Sequence, residues 1–244
     1  MGLCPKRLIL SLAVMLIPLG MAPVVASAAP VRLGYLEFPP FTYSDSSGMP
    51  RGTLIEMVQA VAADAGVDLV ARAVPPPLLF QAIADGSVQL FMGLTTTPEF
   101  VGTTLVGESV IARIELDAYA LDAVPEVRRP EDLAGRTVIL HQGYTYGGWR
   151  SVLEDPASRV TLIEADSAAR GLALLRDRKA SLLLEYTLPI KLAVAGRMPA
   201  DVKAAAISVV DAHFVVSKRA VQAAALLAKL ERSFQRLRAA GSLP

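Results

Sequence analysis

The sequence predicts an α/β protein of two lobes, each built on a parallel sheet, the two joined by two crossover strands. Three observations predict it. Strand-like apolar runs alternate with helical spacing in one block from Val31 to Leu94 and in a second from Thr137 to Leu184. Two extended segments, Glu115 to Leu121 and Val209 to Ser217, lie outside those blocks and read as crossovers. Val88 to Leu94 is almost continuously apolar, the pattern of a strand covered on both faces. The chain is expected to start in the first lobe, visit the second and return. That gives residues 29–114 plus 211–244 to the first lobe and 115–210 to the second.

The elements follow in order. Val31 to Tyr35 is a short strand. Phe38-Pro39-Pro40-Phe41 breaks it, because proline fixes φ and removes a backbone donor. Ser44 to Gly48 is a turn. Leu54, Met57, Val58, Val61 and Ala62 recur at helical spacing, and Gly66 stops the helix. Val67 to Ala73 returns as a strand. Leu78, Leu79, Ala82 and Ile83 mark a second helix, ended by Gly86, before the strand at Val88. In the second block, strands are expected at Thr137 to Leu140, Val160 to Ile163 and Ser181 to Leu184. The helices between them are expected at about Tyr146 to Leu153 and at Ser167 to Arg176, the latter with Asp166 as N-cap. A last helix, about Ala220 to Ala240, carries Leu227, Leu230, Phe234 and Leu237 on one face.

The first 28 residues read as a secretory leader. Lys6 and Arg7 supply the positive start, Leu8 to Leu19 the apolar stretch, and Ala26-Ser27-Ala28 the cleavage site, so the mature chain is expected to begin at Ala29 in the periplasm. The apolar run is shorter than the ~18 residues a membrane span needs. The single cysteine, Cys4, lies inside the leader, so disulfides and thiolate chemistry are excluded from the mature part. Removing 28 of 244 residues leaves 216, with 22 basic against 23 acidic side chains. That balance points away from nucleic acid as a partner, and the chain is expected to work as a monomer on a small molecule.

Several short motifs occur in a telling order. Gly34 to Phe41 ends in Phe-Pro-Pro-Phe. Gly52 and Glu56 open the first helix. Ala82-Ile83-Ala84-Asp85-Gly86 precedes the central strand, which runs on into Gly93-Leu94-Thr95-Thr96-Thr97-Pro98-Glu99-Phe100. Pro130-Glu131-Asp132-Leu133-Ala134-Gly135 is followed by Val138, and Gly143-Tyr144-Thr145 comes next. Together they resemble the bacterial extracellular solute-binding proteins of family 3, over nearly all of the chain after the leader. The resemblance implies a type II periplasmic-binding-protein fold and a small polar ligand, amino-acid-like or cationic, captured between the lobes. It implies an inner-membrane ABC permease or a membrane sensor as partner, and no cofactor.

The same resemblance implies a site at Thr95, Thr97, Phe100, Gly143, Tyr144, Thr145 and Glu185. The family motif ends in an arginine that grips the ligand's α-carboxylate, and Phe100 stands in its place. Glu185 stands for the aspartate that receives the α-amino group, and Glu37 is a second candidate for a cationic group. Pro76 stands near the usual aromatic wall of the ligand, and Gln89 takes the place of a common acidic residue.

Other residues carry open readings. Gly143 to Gly148 is either an anion cradle at a helix start or a turn that needs glycine for its shape. Arg113 and Arg150 are alternative cations, more consistent with rim positions. Phe41 is expected in the core, while Phe38, Tyr144 and Tyr146 are expected at the cleft, where aromatic faces can stack on an apolar or cationic ligand. His141 and His213 lack metal-ligand spacing, so no metal is expected. The alternative function is a lyase or dehydratase-like enzyme on the same scaffold, with Glu185 and His141 as acid and base.

Overall fold

A computed structural model describes residues 1–2, 29–95 and 100–243. Residues 3–28 of the expected leader, Cys4 among them, and Thr97 of the expected site lie outside the described residues. Among the described residues no helix is long and apolar enough to cross a membrane.

The first block folds as β1 (Val31–Tyr35), α1 (Thr53–Asp64), β2 (Leu69–Ala73), α2 (Pro76–Asp85) and β3 (Leu90–Gly93). β1 is central, pairing in parallel with β2 on one side and β3 on the other. The second block repeats that plan with β4 (Thr137–His141), α3 (Trp149–Glu154), β5 (Thr161–Ala165), α4 (Ala168–Arg176) and β6 (Leu182–Tyr186). Here β4 is central, parallel to β5 and to β6.

The crossovers are β7 (Ala112–Ala120) and β8 (Lys203–Ser217), both longer than the sequence suggests. They are sheet members as well as connectors. From Lys203 to Ala212 β8 pairs antiparallel with β7, with a register shift between Ala206 and Ser208, and its next four residues, His213 to Val216, pair with β3. One hydrogen-bonded path therefore passes through both lobes. The early start of β8 is hidden by Ala204, Ala205 and Ala206, since alanine is a poor strand former. Three elements went unforeseen. A short strand, Thr104–Val106, pairs with β8. A two-residue ribbon joins Tyr43–Ser44 to Pro50–Arg51. A further helix, α5 (Thr187–Ala193), tolerates Pro189 in its first turn, where that N–H has no helical acceptor to lose.

Local chemistry explains the helix ends. α1 starts after Gly52, whose φ is +113° and where a Cβ would collide with the Phe41 carbonyl oxygen, so only glycine fits. α2 opens on prolines and closes on Gly86 in the left-handed conformation. The N-cap of α4 is Ser167, whose Oγ accepts from the Arg170 N–H at 3.2 Å, and not the expected Asp166. The last helix, α6 (Ala223–Ala239), buries Leu226, Leu230, Ser233 and Phe234 against the first lobe and bonds Arg236 to Asp64 of α1. One hydrophobic cluster runs through both lobes along β7 and β8, and smaller clusters lie under α2 and under α4–α5.

Candidate functional site

Each lobe has a central strand from which the chain leaves first to one neighbour and later to the other. The loops after those strands converge at a switch point, the usual ligand position in open α/β sheets. In the first lobe these are the loops after β1 and β3. In the second they follow β4 and β6. Phe38, Thr95 and Phe100 belong to the first pair. Gly143, Tyr144, Thr145 and Tyr146 belong to the second, and Tyr186 closes β6.

These loops enclose a cavity of about 60 Å³ between the lobes. Phe38, Phe80, Phe91 and Met92 line it from the first lobe, and Gly143, Tyr144, Thr145 and Tyr186 from the second. The rings of Phe38, Tyr144 and Tyr186 form a closed triangle. Phe38 lies 4.9 Å from Tyr144 and 5.1 Å from Tyr186, and the two tyrosines are 5.5 Å apart. Tyr146 stacks on the outer side of Tyr186 at 5.4 Å. Each ring is well within the distance at which aromatic pairs attract.

A wider groove of about 760 Å³ adjoins the cavity and shares Leu36 and Tyr144 with it. Glu37, Pro76, His141 and Asp166 line it. The lobes touch here. Gly143 has φ +80°, and a Cβ on it would sit 2.9 Å from Pro76 Cγ at the start of α2. Among the described residues neither space is lined by arginine or lysine.

The loop after β4 is held from behind by Arg150. Its Nε donates to the Tyr144 carbonyl at 2.5 Å and one terminal nitrogen to the His141 carbonyl at 2.6 Å, while the other binds Glu154 and Glu164. Arg150 is thus a half-buried loop clamp rather than a rim cation. The Tyr146 hydroxyl accepts the His141 N–H at 2.6 Å, which fixes the strand end. The N–H groups of Tyr144 and Gly148 are taken by the carbonyls of His141 and Thr145. Those two N–H groups are closed into the turn, and α3, with six residues, offers little helix dipole to an anion. Arg113 is exposed and paired with Asp211.

Glu185 differs most from expectation. It does not end the strand in an open cleft, because β6 continues to Tyr186. Leu182, Leu184 and Tyr186 share the face toward the main core, while Leu183 belongs to the cluster under α4–α5. Alternation puts Glu185 on the Leu183 face, where it is 1% exposed. Around it stand His141 from β4, Asp117 and Tyr119 from β7, Tyr144 and Tyr146 from the loop after β4, and Tyr186 beside it. Asp117 accepts from Tyr119 Oη and Thr187 Oγ1 at 2.9 and 2.7 Å. Glu185 Oε1 accepts the Tyr186 N–H at 2.9 Å, but Oε2 has no partner.

Oε2 faces His141 Nδ1 at 3.7 Å, and that nitrogen is also unpartnered. The Asp166 carbonyl lies 3.0 Å from His141 Nε2 and can only accept, so Nε2 carries the hydrogen. In neutral His141 this leaves Nδ1 as a lone pair turned toward Glu185. Burial raises the Glu185 pKa to about 8, against a smaller opposing effect of the Tyr186 N–H. Burial also lowers the His141 pKa, with the Asp166 carbonyl opposing. At neutral pH the pair is therefore uncharged, with the proton on Glu185. Desolvation likewise raises the Tyr144 and Tyr186 hydroxyls above their usual range, reinforced by the neighbouring Glu185.

The other expected site residues fall differently. Phe100 is 4% exposed and packs against Phe80 and Phe91 at 5.6 and 6.0 Å, behind the cavity wall. Glu37 lines the groove, yet its carboxylate holds the Ser44 N–H and hydroxyl and so braces a turn. Thr95 is half-buried at the end of β3 but lines neither space. Tyr146 is fully buried behind Tyr186. Phe41 is in the core, as expected. Phe80, Phe91, Met92 and Tyr186 line the cavity and were missed by sequence reasoning, and only Tyr186 had a signal that could have found it. Its signal was the parity of Leu182, Leu184 and Tyr186, had the strand been extended by two residues.

The model of the bacterial extracellular solute-binding proteins, family 3, matches residues 31–244. The chain belongs to that family. No curated protein sequence matches this family-3 chain. Among solved structures it resembles a histidine kinase sensor domain with similarity to periplasmic binding proteins, with TM-score 0.70 and 20% identity over 88% of this chain and 92% of that one. It also resembles an ancestral arginine-binding protein bound to arginine, with TM-score 0.66 and 18% identity over 88% and 94%. Holo ArgBP from T. maritima gives TM-score 0.63 and 19% identity over 85% and 90%. At these identities the structures share the fold.

Proposed function

We propose that this family-3 chain is an exported solute receptor that closes its two lobes on a small molecule at the Phe38–Tyr144–Tyr186 face. The observation that carries the reading is the cavity at the two switch points, to which both lobes contribute walls. β7 and β8 are the covalent paths between the lobes, and closure is a hinge motion about them, near residues 114–115 and 210–211. The leader is cleaved near Ala28–Ala29, which delivers the chain to the periplasm. There the liganded form docks on an ABC permease or on a sensor.

The family's carboxylate-gripping arginine is replaced by Phe100, and the packing of Phe100 against Phe80 and Phe91 fits a position given over to the core. The lyase alternative draws on the approach of His141 to Glu185. It is weaker, because Glu185 lines neither the cavity nor the groove and would not touch a substrate held there.

A thermal-shift screen over amino acids, amines, organic acids and short peptides tests the receptor reading. A solute at 100 times its Kd adds about 2.7 kcal/mol to stability. Tyr186→Ala is expected to abolish the gain. Gains that survive unchanged in Tyr186→Ala and Tyr144→Ala would place the solute elsewhere.

A further inference from the structure

We propose that the solute is a small organic cation without a carboxylate, seated between the rings of Phe38, Tyr144 and Tyr186. The inference rests on the receptor reading above and names its ligand class.

The first support is what the walls lack. Among the described residues neither interlobe space is lined by arginine or lysine. Arg150, the basic side chain nearest in sequence to the loop, already serves four acceptors. A carboxylate brought into this cavity would lose its water and meet no cation, an arrangement that desolvation strongly disfavours.

The second support is what the walls present. Three rings from both lobes meet at one point, and aromatic faces attract a desolvated cation. The three rings touch one another, so the solute enters by parting Phe38 from the two tyrosines. The motion that admits it is then the motion that separates the lobes.

The third support is Glu185. It is 1% exposed, one carboxyl oxygen has no partner, and its charge acts on Tyr144, Tyr146 and Tyr186 together. In the structure described above a proton neutralises it. A cation among the rings supplies the positive charge instead, and Glu185 gives its proton to solvent. Net charge at the site is conserved, one cation entering as one proton leaves.

Isothermal titration calorimetry of the exported protein at pH 7 tests this with tetramethylammonium, choline, the uncharged choline isostere 3,3-dimethyl-1-butanol, glycine and L-glutamine. Tetramethylammonium and choline are expected to bind, with the isostere weaker by roughly tenfold or more. Repeating choline in buffers of different ionisation enthalpy is expected to reveal proton release, which Glu185→Gln abolishes. Tyr186→Leu should weaken choline by roughly tenfold, while Tyr186→Phe keeps the ring and the affinity. Equal binding of choline and its isostere overturns the inference and makes the site simply apolar. Binding of glycine or glutamine in preference to the cations overturns the ligand class but upholds the receptor. No cation binding at all also overturns the class, and the receptor reading is then judged separately by the screen given above.

Discussion

The Phe38 ring meets the Tyr186 ring across the lobe boundary, with centroids 5.1 Å apart and planes inclined at 59°. Phe38 comes from the break after the first strand, where Pro39 and Pro40 end pairing and turn the side chain toward the second lobe. Tyr186 is the last residue of β6 and stands on the inner face of its strand. One contact thus joins the switch points of the two lobes.

Glu185→Gln should flatten the pH dependence of stability. The Glu185 pKa rises from an ordinary 4.5 to about 8 in the fold, so the folded state keeps a proton that the unfolded chain loses. Stability from this group is complete below pH 4.5, declines as pH rises and is lost by about pH 8. The decline between pH 4.5 and 7 amounts to at most roughly 3 kcal/mol. Denaturant melts of both proteins across that range check it. The difference between wild type and variant isolates Glu185, because His141, with its pKa lowered, acts oppositely below its ordinary value of 6.5 and is present in both. An unchanged difference at all pH values would mean that Glu185 is not buried.

Arg150→Lys should behave as a severe change. Lysine cannot reproduce a fork that reaches the His141 and Tyr144 carbonyls and two glutamates together. Loss of charged bonds to buried carbonyls should cost roughly 2 kcal/mol or more, read as a lower unfolding midpoint. Solute affinity should fall with it, because Tyr144 rides on the clamped loop.

Phe100→Arg should not recreate an amino-acid site. The side chain at this position points into the cluster of Phe80 and Phe91, so an arginine there is a charge in apolar packing. The expected cost is roughly 3 kcal/mol or more, with no gain in affinity for glycine or glutamine. Calorimetry showing tight amino-acid binding by a stable variant would show that the position faces the cleft.

Gly143→Ala should hinder closure while leaving each lobe folded. The residue has φ +80°, and the added Cβ would press on Pro76 of the opposite lobe. Strain in the backbone alone should cost roughly 1 kcal/mol, and the interlobe clash should appear as weaker solute binding. Near-wild-type affinity would mean that the lobes do not meet at this point.

Much of the fold was legible because periodicity reports it. Val88 to Leu94 reads as a strand covered on both faces, and its Leu90–Gly93 is a fully buried one, while Leu54 to Ala62 gives the buried face of α1. What escaped depends on pairing rather than composition. The alanines of β8 gain strand form from their β7 partners, and α5 is too short for a period to show. At the site, the loops were legible as strand ends, but the direction of Glu185 was not. Ending β6 at Leu184 rather than Tyr186 exchanges which side chain is taken to face the cavity. Arg150 was read as a rim cation because nothing in sequence reveals that two carbonyls of a nearby loop will turn toward it.

The central claim is that the lobes close on a solute about β7 and β8, and a distance between lobes tests it most directly. Leu78 on α2 and Leu192 on α5 are 57% and 55% exposed on opposite lobes, and the chain's only cysteine is in the expected leader. Spin labels at Leu78→Cys and Leu192→Cys would report that distance by electron–electron resonance, with and without the tightest binder from the calorimetric panel. The account predicts a broad distribution that becomes narrow and shorter by about 5 Å or more on saturation, as hinge closure requires. A distribution unchanged by a solute that measurably stabilises the protein would contradict it.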